Sequence, residues 1–148
     1  MNDNIGGFSR IEMAALSQIS NMYISDTVSV ILKSMEQWAA LPFQTGTPRI
    51  EAVPEDTDAG IIYNMSVELY IPRQYMNCDV TSALQMAGFY NAVIRYTTNN
   101  RETFILGSID YPLRLTGQTV HPGTAGGFSA YKLLLTGKSL CPQLPVSL

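Results

Sequence analysis

The segment from Ile61 to Ile71 constrains the fold of this chain most strongly, because its side chains alternate between apolar and polar with a period of two. Apolar residues occupy every odd position, and polar residues such as Ser66 and Glu68 stand between them. This period is typical of a β-strand with one buried and one solvated face. Pro72 follows, and because proline has no N–H for a β-ladder, we expect the strand to end there.

Four further segments are predicted to be strands. Tyr90–Thr98 and Glu102–Ser108 are joined by Thr98–Arg101, whose two asparagines tolerate the positive φ of a tight turn. This arrangement predicts a β-hairpin. Two shorter strands are expected at Leu113–Thr116 and Tyr131–Thr136.

The first third of the chain is ambiguous between helix and strand. Asp26–Ala39 carries apolar residues at helical spacing behind a possible Asp26 cap, yet Thr27–Leu32 is rich in β-branched residues. Arg10–Leu16 shows the same ambiguity, although Ile11, Met13 and Ala15 alternate with Arg10 and Glu12 as in a strand. We favour strands in both segments.

The best helix candidate is Asp79–Ala87, where Asp79 can cap the first turn and Gly88 can end the last. Ala83, Leu84 and Ala87 fall on one face of this helix. The expected fold is therefore mainly β, an antiparallel β-sandwich or small barrel with one short helix packed at an edge. We expect one domain over residues 1–148, with extended termini and a long loop near residues 118–128.

Charged side chains are scarce, at 14% of the chain against about 25% in an average soluble domain. This scarcity suggests that other protein covers part of the surface. The net charge of −3 argues against electrostatic capture of nucleic acid. Because no apolar run approaches the ~20 residues that span a bilayer, we expect no membrane partner.

Few side chains are suited to catalysis or metal binding. The single histidine, His121, stands in a turn-rich stretch, and no spacing joins it to a nucleophile and an orienting carboxylate. Cys78 and Cys141 lie far apart, and neither has a histidine or another cysteine nearby, so a zinc site is not indicated. The sequence predicts a protein that is not an enzyme and uses no cofactor or metal.

Two segments are candidates for contacts with other molecules. Glu55, Asp56 and Asp58 form a compact acidic turn before the alternating strand. Gln118–Phe128 is a long loop rich in Gly and Thr, and loops of this length in compact domains are usually functional or flexible.

Charge is also divided unevenly along the chain. Residues 1–74 hold four basic and nine acidic groups, and residues 75–148 hold five basic and three acidic groups. An acidic side on one subunit could therefore meet a basic side on the next, and such head-to-tail contacts close into rings.

Three segments together resemble a known class of proteins. The first is Pro54–Tyr63 with the strand that continues to Arg73, the second is Leu106–Leu115, and the third is Phe128–Ser139. They resemble small β-rich structural proteins from the neck and tail gene modules of tailed phages of Bacteroides-type gut bacteria, crAss-like phages included. The resemblance covers roughly residues 50–146 and consists of strand-and-turn patterns.

The resemblance implies a virion protein, assembled in the bacterial host cytoplasm, that forms a homomeric ring in the head-to-tail connector or tail around the DNA channel. Its partners would be copies of itself and adjacent neck or tail proteins, and DNA would pass without specific recognition. We expect the acidic turn to face the lumen. The termini and the long loop would make subunit contacts, the latter through Gln118, His121, Thr124 and Phe128.

An alternative function is a small carbohydrate- or ligand-binding β-sandwich module. Four tyrosines could stack on sugar rings: Tyr70, Tyr75, Tyr90 and Tyr111.

Overall fold

A computed structural model describes residues 7–43, 48–72, 75, 78–120, 130–140 and 144–146 of the chain. Within these ranges the backbone forms eleven strands and one α-helix. In chain order they are β1 (Phe8–Ala15), β2 (Ile19–Ile24), β3 (Val28–Leu32), β4 (Ala39–Ala40), β5 (Arg49–Thr57), β6 (Gly60–Pro72), α1 (Cys78–Tyr90), β7 (Ala92–Thr98), β8 (Thr103–Leu106), β9 (Arg114–Val120), β10 (Ala130–Ser139) and β11 (Leu144–Pro145).

The strands form three antiparallel sheets. The central sheet has the order β11-β8-β7-β1-β4, the outer sheet has the order β5-β6-β10-β9, and β2 and β3 form a two-stranded ribbon. The expected fold class, mainly β with antiparallel sheets and one short helix, is confirmed. In the described ranges the sheets stack as layers and do not close into a barrel.

The central sheet contributes side chains to two separate cores. On one face Met13, Ile94 and Leu106 join the large core beneath the outer sheet and α1. On the other face Ala14 and Val93 pack with residues of the ribbon. Successive side chains of a strand point to opposite faces, so a strand covered on both faces is buried along its length.

This double burial explains why β1 was ambiguous in the sequence. Five consecutive residues, Ile11–Ala15, are buried, including the carboxylate residue Glu12. The predicted strand at Arg10–Leu16 is confirmed, but both of its faces are covered. The strand favoured in Asp26–Ala39 is also confirmed, since β3 occupies Val28–Leu32.

Helix α1 covers the predicted segment but begins at Cys78, so Asp79 lies within the helix and not at its cap, and it is about one turn longer at its C-terminal end. Val80, Leu84 and Ala87 are buried on its inner face, and the helix contacts β1, β4 and β9. The prediction that Gly88 ends the helix is wrong, because α1 continues to Tyr90. Asn91 follows with a φ of 61°, so asparagine supplies the left-handed residue that terminates many helices.

The hairpin predicted at Thr98–Arg101 is confirmed, with β7 and β8 paired on either side. The N–H of Thr98 donates to the carbonyl of Glu102 at 2.9 Å, and the N–H of Arg101 donates to the carbonyl of Thr98 at 3.0 Å. The positive φ falls on Arg101, at 66°, and not on either asparagine. A left-handed residue after a tight turn is a common three-residue hairpin loop.

The outer sheet contains the strand that the sequence predicted best. β6 buries Met65, Val67, Leu69 and Ile71 against the large core, as the alternation indicates. Strands β9 and β10 are both longer than expected, and Gln118 lies in β9 opposite Lys132 of β10. The predicted loop at Gln118–Phe128 therefore begins as a strand, which is a correction of its boundary, and residues 121–129 lie outside the described residues.

Candidate interaction surface at the edges of the outer sheet

The edge strands of the outer sheet differ in length from those of the central sheet. The central sheet ends in strands of two residues, β4 and β11. The outer sheet ends in β5, with nine residues, and β9, with seven. Among the described residues each of these two strands pairs with another strand on one side only, β5 with β6 and β9 with β10. Long edge strands present N–H and C=O groups to which another strand can bind.

The ladders of the outer sheet place four residues in one row across all four strands. Glu51 of β5 is opposite Ser66 of β6, Ser66 is opposite Thr136 of β10, and Thr136 is opposite Arg114 of β9. The neighbouring row along the strands contains core residues such as Leu135. Because side chains alternate between faces, the row that contains Glu51 and Arg114 lies on the face of the sheet away from the core.

The two ends of this row carry opposite charges in different environments. Arg49 donates to Oε1 of Glu51 through Nε at 2.8 Å, and its Nη2 lies 2.6 Å from the same oxygen. Arg114 is exposed, and its guanidinium has no hydrogen bond or ion pair with the described residues. One edge therefore presents an acceptor, the Oε2 atom of Glu51, and the opposite edge presents a cation that has no partner among the described residues.

The acidic residues predicted to form a turn lie mostly on a strand, which corrects that prediction. Glu55 and Asp56 belong to β5 and pair with β6, and only Asp58 lies in the turn between the two strands. Gly60, the first residue of β6 after this turn, has a φ of 122°, a conformation that favours glycine. Charge and Pro54 lower the β propensity of this segment, but an edge strand tolerates both.

These three carboxylates project beyond the rest of the outer sheet. The described ladder between β10 and β6 ends at the pair Ser139 and Tyr63, so the β5–β6 hairpin continues past it as a two-stranded arm. All three acidic residues are exposed in this arm. Nδ2 of Asn64 donates to Oε2 of Glu55 at 2.8 Å.

The residues predicted to contact other subunits are described only in part. The backbone of Gln118 lies in edge strand β9. His121, Thr124 and Phe128 lie outside the described residues, as do residues 1–6 and 147–148 at the termini. The four tyrosines of the alternative function are on separate parts of the chain: Tyr70 in β6, Tyr75 between β6 and α1, Tyr90 at the end of α1, and Tyr111 between β8 and β9.

A partly buried ion pair on the central sheet was not predicted. Arg95 of β7 donates to Oε1 of Glu12 through Nε at 3.0 Å and through Nη2 at 2.8 Å. Nη2 of Arg10 lies 3.2 Å from the other carboxylate oxygen, and the Arg95 guanidinium lies 4.5 Å from the ring centre of Trp38. The available signal in the sequence was one charged residue inside each of two predicted strands, Glu12 and Arg95, because opposite charges attract across a strand pair. Because the Glu12 carboxylate and the Arg95 guanidinium find their partners within the chain, we interpret this cluster as structural.

Tyr96, which like Arg95 lies in β7, has a phenol whose pKa is shifted by its surroundings. Its ring packs between Phe8 and Phe104, and burial raises the pKa of the phenol above its ordinary value.

The described residues contain no group of three or more His, Cys, Asp or Glu side chains placed to hold a metal ion. They also contain no helix with the length and apolar character needed to cross a membrane.

Comparison with known proteins gives no match. No protein-family model matches the chain, and neither a curated protein nor a solved structure does so.

Proposed function

We propose that this chain is a structural virion protein of a tailed bacteriophage that forms a homomeric ring in the head-to-tail connector or tail, around the DNA channel. The observation that supports the ring most directly is the pair of long edge strands, β5 and β9, at opposite ends of one sheet. The phage context comes from the resemblance of Pro54–Tyr63, Leu106–Leu115 and Phe128–Ser139 to neck and tail proteins.

A sheet with two different open edges favours head-to-tail association over a closed pair. In head-to-tail association a subunit binds the next one through two different surfaces. Each added subunit therefore leaves one surface free, until the last subunit binds the first and the ring closes. Edges β5 and β9 meet this condition because they differ in sequence and in charge. The scarcity of charged side chains, 14% of the chain, fits a subunit whose surface is covered by neighbours.

The acidic arm suits the wall of a DNA channel. Glu55, Asp56 and Asp58 are exposed and extend past the end of β10. A ring of such arms would concentrate negative potential, and like charge would keep DNA phosphates from adhering during passage. In this proposal the arm faces the lumen.

The mass of the particle in solution tests the ring. We would purify the full chain, measure its native mass over a range of concentrations, and image the particles by electron microscopy. We expect a closed ring whose mass is a whole multiple of 16.3 kDa. A chain that stays monomeric at every concentration and is also missing from purified phage particles that encode it would refute the proposal.

A further inference from the structure

We infer that neighbouring copies of this chain join by pairing β9 of one copy with β5 of the next, so that Arg114 forms an ion pair with Glu51 of the neighbouring copy. This inference rests on the proposed ring and adds the contact that builds it. It follows from the strand directions, the register of the outer sheet and the charges at its two edges.

Strand direction permits this contact in a ring. The outer sheet has four strands, and each is antiparallel to the one beside it. Edge strands β5 and β9 therefore run in opposite directions. A rotation about an axis along the strands preserves their directions, so β9 meets the next copy's β5 in antiparallel orientation. The ladder can then continue from one copy to the next without reversing either subunit.

Register selects the residues that meet. Glu51 and Arg114 are the two ends of the row that passes through Ser66 and Thr136. Closed rotational symmetry moves a subunit around the axis without shifting it along the axis. For strands aligned with that axis, the row of one copy continues into the same row of the next. Arg114 then lies beside Glu51 of the neighbouring copy, on the same face of the joined sheet.

Charge complements this register. Both contacts of Arg49 with Glu51 use Oε1, which leaves Oε2 to accept hydrogen bonds from a second guanidinium. Arg114 is exposed and has no partner for its guanidinium among the described residues. Opposite charges directly across a strand pair are favourable, whereas like charges there are unfavourable. A contact between two β5 strands about a twofold axis would bring two acidic edges together instead.

Charge reversal tests the ion pair. We expect Arg114→Glu, and separately Glu51→Arg, to raise the concentration for half-assembly by roughly five- to tenfold, because each change removes an attraction and adds a repulsion. The double variant should restore assembly to within about twofold of the original chain, since the pair is re-formed with its charges exchanged. Lys138→Glu is the matched control, because Lys138 lies in the interior strand β10 and its variant should assemble normally.

Disulfide cross-linking tests the register independently of ring stability. In a Cys78→Ser, Cys141→Ser background we would introduce Glu51→Cys and Arg114→Cys together. The two positions are three strand spacings apart within one chain, about 14 Å, which is too far for an intramolecular bridge. Oxidation should therefore give a series of covalent oligomers of increasing size, seen as a ladder of bands on a non-reducing gel. The matched pair Glu51→Cys with Thr136→Cys should give none, because Thr136 lies in the same row on β10 and β9 separates it from Glu51 of the next copy in the assembled ring.

The two proposals can fail separately. If the original chain forms rings that neither charge variant weakens, and the cysteine pair gives no ladder, the β9–β5 contact is wrong and the ring proposal stands. Cross-linking that stops at dimers and requires only the Glu51→Cys substitution would also overturn the β9–β5 contact. If the original chain forms no ring and is missing from virions, the proposed function itself is wrong.

Discussion

Glu12 and Arg95 lie directly opposite each other on β1 and β7, and the guanidinium donates two hydrogen bonds to one oxygen of the carboxylate. The carboxylate side chain is 6% exposed, and that of Arg95 is 29% exposed. A buried charge is costly unless it is paired. Loss of the Arg95 contact would therefore destabilise the protein chiefly by leaving the buried Glu12 carboxylate without its main partner.

Removing Arg95 should destabilise the protein strongly. We expect Arg95→Met to lower the free energy of unfolding by about 2–4 kcal/mol, because Glu12 would keep only Arg10 as a partner and Trp38 would lose its cation. Urea unfolding at fixed protein concentration, followed by the fluorescence of the single tryptophan, measures the change. Arg49→Met is the control, since its pair with Glu51 is exposed and should contribute less than about 1 kcal/mol. Equal effects of the two substitutions would contradict the prediction.

Two glycines should respond in opposite directions to alanine. A Cβ at Gly137 would lie 2.7 Å from the carbonyl oxygen of Pro112, so Gly137→Ala forces β10 and the β8–β9 connection apart. We expect a loss of about 1–3 kcal/mol. A Cβ at Gly88 meets nothing within 4 Å, and alanine in a helix interior should stabilise by about 0.5–1 kcal/mol. Thermal unfolding of both variants checks the sign, and a stable Gly137→Ala protein would contradict the close approach.

The large core should depend on the buried face of β10. Leu133 is fully buried, and Leu133→Ala should cost about 2–5 kcal/mol through lost burial and the cavity left behind. Leu140 lies just after the same strand and is 63% exposed, so Leu140→Ala should change stability by less than about 0.5 kcal/mol. Denaturant titration of the two variants gives the comparison. Similar losses would mean that Leu133 does not face the core.

Stability should fall at alkaline pH because of Tyr96. Burial raises the pKa of its phenol in the folded chain above the ordinary value of 10.0, so the folded state holds its proton more tightly than the unfolded state does. The stability from this difference is fully present below pH 10. It is lost as pH rises from there through the folded pKa, with a slope of up to about 1.4 kcal/mol per pH unit.

Tyr96→Phe isolates this effect. We expect the difference in unfolding free energy between the original chain and the variant to be constant from pH 7 to 9 and to move in favour of the variant above pH 10. The other tyrosines titrate in both proteins and cancel from the difference. A difference that stays flat to pH 11 would show that the Tyr96 phenol is not buried.

The contacts that hold the sheets together explain which sequence predictions succeeded. β6 was predictable because the residues in its middle alternate between a buried apolar face and a face that carries Asn64, Ser66 and Glu68. β1 was harder to predict because both of its faces are covered, so the alternation of Ile11 and Met13 with Arg10 and Glu12 gives way to apolar residues on both faces at Ala14 and Ala15. β5 was missed because Glu55, Asp56 and Pro54 are typical of turns, and the sequence does not show that this segment forms an edge with solvent on one side.

The candidate site was less predictable than the fold. The acidic residues were noticed, but their position on a projecting strand depends on where β10 stops pairing with β6. Arg114 was not singled out at all, since an isolated arginine in a strand carries no local signal. Its relation to Glu51 arises from three ladders between segments far apart in the sequence.

The sequence by itself determined much of the local structure of this protein: strands where side chains alternate, a helix where apolar residues fall on one face, and the hairpin turn at Thr98–Arg101. These outcomes depend on interactions among near neighbours, which a short stretch of sequence contains. Only the tertiary structure decided the strand order, the ion pair of Glu12 with Arg95, and the row that ends in Glu51 and Arg114. Those depend on which distant strands exchange backbone hydrogen bonds, and that choice is made by the packing of the whole core.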